Sequence, residues 1–291
     1  MLGRELSTAL EGRRVTAADL SELDITDPRA VHEAVAGHDV VVNCAAWTAV
    51  DAAQAHEKEA FAVNAIGPQL LARSCAEHGA RLLHLSTDYV FPGTGTEPFP
   101  EDAPLAPASA YGRTKAAGEW AVRAQLPGRH WVVRTAWLYG RHGRNFVRTV
   151  ARLEAERSTI EVVDDQWGQP TWSKDLAAWL VTLVDADVPS GTYHGTSSGA
   201  TSWHGLARAV FELLGADPDR VRPVPSALSG REAPRPPYSV LAHIAGPAAG
   251  LAPLRGWRQA LAQAVREDWV SGPRSLTGTG PARPSTARKA P

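Results

Sequence analysis

The chain has 291 residues, 44% of them hydrophobic, and a formal net charge of -1. That is enough apolar material for one large core or two modest ones, and the near-neutral charge offers no basic face to nucleic acid. No apolar run reaches the length that crosses a bilayer and no charged-then-apolar leader opens the chain, so a cytoplasmic protein without a membrane partner is expected. In chain order, Arg14-Val15-Thr16-Ala17-Ala18 predicts a short strand and Asp39 to Cys44 a stronger one. Ala52 to His78 predicts helix, bent near Gly67-Pro68 because proline breaks the hydrogen-bond ladder. A buried strand over 81–86 follows, then a long loop from Asp88 to Pro107, a helix over 109–125 and a strand over 130–136. Further on come a helix from Asn145 to Glu156, a strand at Ile160-Glu161-Val162-Val163, and a helix to Val184 with Ser173 as its N-cap. Thr192-Tyr193-His194 predicts a short strand, Ser202 to Leu214 a helix, Val221 to Pro237 a proline-rich loop, and Trp257 to Trp269 the last helix. From Ser271 the composition is too rich in Gly, Pro, Ser and charge to bury a core, which predicts a disordered tail over 271–291.

The alternation of strand and helix predicts an α/β, Rossmann-like, doubly wound parallel sheet. The expected division is a dinucleotide-binding core over 1–140 and a mainly substrate-binding region over 141–270 that returns some elements to the core. Cys44 and Cys75 lack metal or redox spacing and read as reduced thiols. His142 and His204 have no ligand-spaced partner, so no metal site is assigned.

The chemistry concentrates in Ser86-Thr87-Asp88-Tyr89-Val90-Phe91-Pro92-Gly93 and Tyr111-Gly112-Arg113-Thr114-Lys115. Tyr111 and Lys115 are four apart, so on a helix they share a face and can meet one reacting atom. A hydroxyl at a strand end with Tyr-x-x-x-Lys on the next helix resembles the catalytic set of short-chain dehydrogenases/reductases. STDYVFPGTG, YGRTKAAGEW, RTAWLYG, NF and DDQWGQPT, in that order, resemble the dTDP-4-dehydrorhamnose reductase family, from about Gly3 to Trp269.

That resemblance implies reduction of the C4 ketone of a dTDP-4-keto-6-deoxyhexose by NADPH or NADH. Tyr111 would give the proton, Lys115 would lower the Tyr111 pKa and hold the nicotinamide ribose, and Thr87 would stabilise the carbonyl oxygen. The implied cofactor contacts are Gly3, Asp24 and Ile25 beside the adenine, Ala45, Ala46, Trp47 and Thr48, and Asn64 as a brace of the backbone there. Asp19 could accept from a ribose hydroxyl, with a solvated loop acid as the alternative. No Arg follows it to suggest a 2'-phosphate. On the substrate side stand Val50, Asp51, Asp88 and Trp137, with Asn145, Gln166, Thr171 and Arg235 toward the nucleotide. Some relatives hold magnesium at a dimer contact, and no acidic cluster here calls for it. The partners implied are the dTDP-sugar and, as a monomer or homodimer, another copy of the chain. A regulatory subunit of methionine adenosyltransferase has the same likeness, so a non-catalytic binding or regulatory subunit is the rival reading.

A dinucleotide fold also expects a first strand running into a Gly-rich turn. The chain opens at Met1-Leu2-Gly3, which matches the last glycine of the family's turn. Two readings stand: a start about ten or more residues upstream, the usual length of that strand and turn, or a cofactor-poor relative.

Overall fold

A computed structural model describes residues 1–228 and 230–270. Four parallel strands form the central sheet, in the order Val40–Asn43, Arg81–Thr87, His130–Thr135, Gly191–His194. Side chains alternate between its faces. Leu83, Leu85, Trp131 and Val133 meet the helices Leu2–Ala9 and Ser173–Asp185, through Leu2, Leu6, Leu176, Leu180 and Leu183. Leu82 and Val132 point the other way, onto Val31, Leu71, Cys75 and Val122 of the helices Pro28–Val35, Gly67–His78 and Ala110–Gln125. Both faces are covered, which is why these strands read as unbroken apolar runs rather than alternating ones.

A second core gathers Val147, Val150, Ile160, Val162, Leu206, Val210, Phe211 and Leu261. It joins the helices Phe146–Glu156, Trp203–Leu213 and Trp257–Ala264 with the parallel pair Ile160–Val163 and Val221–Val224. Two short pairings, Leu138–Tyr139 with Thr171–Trp172 and Trp167–Gly168 with Thr201–Ser202, connect it to the carboxyl end of the central sheet. Among the described residues no helix is long and apolar enough to cross a membrane.

Several expected elements differ. Arg14–Ala18 is exposed and carries no ladder, because among the described residues no strand lies beside it to exchange hydrogen bonds. It is tied down instead by Thr16, whose Oγ1 lies 3.0 Å from His38 Nε2. Val221–Val224 is a strand despite Pro223: among the described residues it pairs only with Ile160–Val163, and an edge strand tolerates a missing N–H. Ser173 is the first helical residue rather than the cap, and its Oγ is buried without a hydrogen bond. The helical stretch before His78 breaks at His56 and passes through a π-turn at Ala62–Ile66 just before Gly67-Pro68. Pro68 has no N–H for the carbonyl four residues back, so the ladder widens there. The tail expected from residue 271 lies outside the described residues.

Candidate active site

The carboxyl ends of the strands deliver the candidate residues to one crevice, where open α/β sheets bind ligands. Thr87 ends its strand with 6% exposure. Its Oγ1 donates to Asp88 Oδ1 at 2.9 Å and accepts from the Tyr89 N–H at 3.2 Å. Ser109 caps the next helix by accepting from the Gly112 N–H at 3.1 Å, so Tyr111 enters in the first turn. Gly112 is required there: a Cβ would stand 2.2 Å from the Tyr89 carbonyl oxygen. The Tyr111 phenol lies close enough to the Thr87 hydroxyl for it to favour the phenolate, and its ring meets Tyr89 edge-on at 5.6 Å.

Lys115 lies one turn deeper and is 2% exposed. Its Nζ donates to the Leu85 carbonyl at 2.6 Å and faces His84 Nε2 at 3.4 Å. Lys115 is thus not in contact with the Tyr111 phenol in this arrangement. Burial pushes that phenol up to about 12, the nearby Thr87 hydroxyl offsets part, and the Asp88 charge adds to the rise. The lysine amine is turned toward the strand backbone instead of the phenol. Burial brings Lys115 itself down to about 8. Burial likewise raises Asp88 to about 6, the hydroxyls of Ser239 and Thr87 compensating only partly.

The segment after Val40–Asn43 is irregular and held from two sides. Asn43 Oδ1 accepts the Ala45 N–H at 3.0 Å. Asn64, fully buried in the π-turn, accepts the Trp47 N–H at 2.8 Å and donates to the Trp47 carbonyl at 3.1 Å and to Thr114 Oγ1 at 3.0 Å. One side chain thus joins the Ala45–Thr48 segment to the Tyr111 helix. Gly3 lies in the first turn of Leu2–Ala9, where an added Cβ would approach the Cys44 side chain at 4.0 Å. Ala45 and Thr48 are exposed and Ala46 and Trp47 half-buried, which leaves this backbone open to a ligand. Small residues on an open, fixed backbone, beside a helix start with no side-chain cap, fit a dinucleotide.

Other expected residues are engaged differently. Asp19 accepts from the Ser21 N–H at 2.9 Å and the Ser21 hydroxyl at 2.6 Å, and Asp24 does the same for Thr26 at 2.9 and 2.7 Å. Both are exposed acids closing their own turns. Ile25 is a buried filler against Gly67. Asn145 caps the helix after it, accepting from the Arg148 N–H at 3.0 Å and donating to the Gly140 carbonyl at 2.8 Å. Thr171 is fully buried, donating to the Gln169 carbonyl and accepting from the Ser197 N–H. The buried Thr171 hydroxyl is thereby satisfied within the fold, and the half-buried Asn145 amide keeps a second N–H beyond its capping bonds. Gln166 is buried at 8% exposure and Val50 half-buried. Asp51 Oδ2 pairs with Arg235 Nη2 at 2.7 Å, and Asp51 Oδ1 accepts the Ala233 N–H at 3.1 Å. That pair draws the proline-rich loop down onto the crevice.

Trp137 holds an unusual backbone, with φ of 46°. Its indole stacks on Trp203 at 3.6 Å and 8°, and a Cβ on Gly168 would stand 2.5 Å from it. The sequence assigned no role to Trp203, Tyr89 or His84, and only the fold sets each against a candidate residue. Beneath the site Glu119, fully buried, accepts from Arg134 Nε at 2.9 Å and Nη2 at 2.8 Å and from Arg123 at 2.7 Å. Among the described residues no group of three or more His, Cys, Asp or Glu could hold a metal ion.

Fold and site together define a Rossmann-type oxidoreductase. A family model described as the RmlD substrate binding domain matches residues 1–269. The chain is 55% identical over 271 residues to a dTDP-4-dehydrorhamnose reductase of Streptomyces griseus, covering 90% of this chain and 89% of the relative. It is 53% identical over 269 residues to a dTDP-4-keto-6-deoxy-D-glucose reductase of Streptomyces niveus, covering 91% and 93%. A crystal structure of dTDP-4-dehydrorhamnose reductase from Bacillus anthracis in complex with NADP superposes with a TM-score of 0.88 at 36% identity, covering 91% of this chain and 95% of that one. The chain belongs to the dTDP-4-dehydrorhamnose reductase family.

Proposed function

We propose that Thr87, Tyr111 and Lys115 carry the reduction of the C4 ketone of dTDP-4-dehydro-L-rhamnose, or of a closely related dTDP-4-keto-6-deoxyhexose, to the corresponding alcohol. NADH or NADPH, when bound, supplies the hydride. Ala45 to Thr48 and the start of the Leu2–Ala9 helix would hold the dinucleotide, and residues 141–270 mainly the sugar nucleotide. Negative charge develops on the carbonyl oxygen as the ketone is reduced. Thr87 donates a hydrogen bond to that oxygen and Tyr111 gives it a proton. A phenol pushed up to about 12 keeps its proton at neutral pH until an oxyanion of higher basicity forms beside it. Lys115 leaves the Leu85 carbonyl to reach the ribose, and its charge then stabilises the phenolate left behind. Arg235 exchanges Asp51 for diphosphate oxygens, which its planar guanidinium pairs bidentately.

The observation that carries this reading is the juxtaposition of the Thr87 hydroxyl and the Tyr111 phenol at the strand ends of a chain with this family membership. The test is oxidation of reduced cofactor in the presence of a dTDP-4-keto-6-deoxyhexose. Tyr111→Phe is expected to lose about 10²–10⁴ in kcat with an unchanged melting temperature, the usual contribution of a positioned general acid. A Phe variant turning over at the parent rate refutes the assignment.

A further inference from the structure

We propose that His84 is a positioning residue for Lys115, presenting a ring N–H to the lysine Nζ and tying it through Asn43 to the backbone of the cofactor segment. The register sets Asn43 directly opposite His84, so their side chains leave the same face of the sheet. His84 is wholly buried, with Nδ1 3.1 Å from Asn43 Nδ2 and Nε2 3.4 Å from Lys115 Nζ.

The hydrogen-bond order fixes the tautomer. The Ala45 N–H needs an acceptor and takes Asn43 Oδ1 at 3.0 Å, so the amide NH2 is the group turned toward His84. An NH2 group only donates, so His84 Nδ1 accepts and carries no proton. Burial, with the charges of Lys115 and Arg123 nearby, holds the ring well below its usual pKa and therefore neutral. A neutral ring without a proton on Nδ1 carries it on Nε2, facing Lys115. That N–H is satisfied only by an amine lone pair, which the ammonium form lacks.

His84 therefore favours neutral Lys115, while the other groups facing the lysine pull the opposite way. Glu119, one turn along its helix, and Cys44, at the end of the neighbouring strand, favour the charged form. The Leu85 carbonyl accepts from either. Glu119 is divided between Arg134 and Arg123, and burial keeps the Cys44 thiol protonated by pushing it up to about 12. His84 is the group among these that turns a hydrogen-bond donor toward the lysine. The consequence for catalysis rests on the role assigned to Lys115 above; the state of the ring does not.

The test has two independent arms. In protein carrying 15N-labelled histidine, His84 is expected to show a bare Nδ1 and a protonated Nε2 at neutral pH. An Nδ1–H tautomer or a charged ring overturns the proposal, whether or not the protein turns over. In the second arm, His84→Phe keeps a planar ring without nitrogen and raises the Lys115 pKa. The alkaline limb of the kcat/KM profile moves up by about one pH unit, while His84→Gln, which can both accept and donate, restores the parent limb. An unmoved limb in a folded His84→Phe protein overturns the proposal. A failure of the catalytic reading has a different signature, parent turnover in Tyr111→Phe.

Discussion

Asp88→Asn should make this protein more stable at neutral pH and no more stable in acid. Asp88 is 2% exposed, and burial lifts its carboxyl from the ordinary 3.8 to about 6. At about 1.4 kcal/mol per pH unit, that shift is worth about 3 kcal/mol. The sign follows from proton counting. Between these values the folded chain holds a proton that the unfolded chain has released, so stability falls as pH rises through the window. Below the ordinary value both states are protonated and the penalty is absent; above the raised value it is complete. Asparagine never ionises, so the variant gains up to about 3 kcal/mol at neutral pH and several degrees in melting temperature. The assay is denaturant unfolding of parent and variant at intervals from acid to neutral pH. A difference that grows between pH 3.8 and about 6 and is flat above it supports the argument. A constant difference across that range refutes it. The stabilised variant should be a poorer enzyme, because a buried charge beside Thr87 is the kind of strain that active sites retain.

Other substitutions test the supports of the site. Gly118→Ala would place a Cβ 2.2 Å from the Asn64 carbonyl oxygen, prising the Tyr111 helix from the π-turn. A cost of about 1–3 kcal/mol in urea unfolding is expected for such overpacking, outweighing the usual gain of alanine in a helix. Glu119→Ala leaves the Arg134 guanidinium, 1% exposed, without its carboxylate and should cost about 3–5 kcal/mol; a loss under about 1 kcal/mol would show that the carbonyl of Glu101 suffices. Trp203→Ala removes the stack beneath Trp137 and should raise the KM for the sugar nucleotide more than that for the cofactor, with equal rises counting against a substrate-side indole.

Much of the central sheet was legible because its physics is local. Runs such as Arg81 to Ser86 are apolar on both faces, and Ser109 announces a helix start by residue type alone. Tyr111 and Lys115 sit on one helix as their spacing requires, yet only Tyr111 reaches Thr87. Which way a lysine turns depends on a carbonyl and a histidine from another strand, and no spacing rule carries that. Val221–Val224 was hidden for the same reason: its strand state comes from Ile160–Val163, while its own composition argues for a loop. Arg14–Ala18 is the converse, with strand-like composition and no partner strand among the described residues. Asn145 and Thr171 were placed toward the nucleotide by resemblance, while the fold also uses them as a helix cap and a buried hydroxyl, which residue type alone does not reveal.

The left-handed backbone at Trp137 bears on the order in which mutations can accumulate. For a residue with a Cβ such a conformation costs about 1–2 kcal/mol, and glycine escapes most of it. While Trp203 is present, exchanging Trp137 for glycine forfeits the stacked pair, and the loss exceeds the relief. Once Trp203 has gone, the same exchange costs less, because the stack is already lost and only the packing on Gly168 and the adjoining core stands against the backbone relief. The two sites are therefore non-additive: whichever indole is replaced first bears most of the loss, so each guards the other under selection for stability alone.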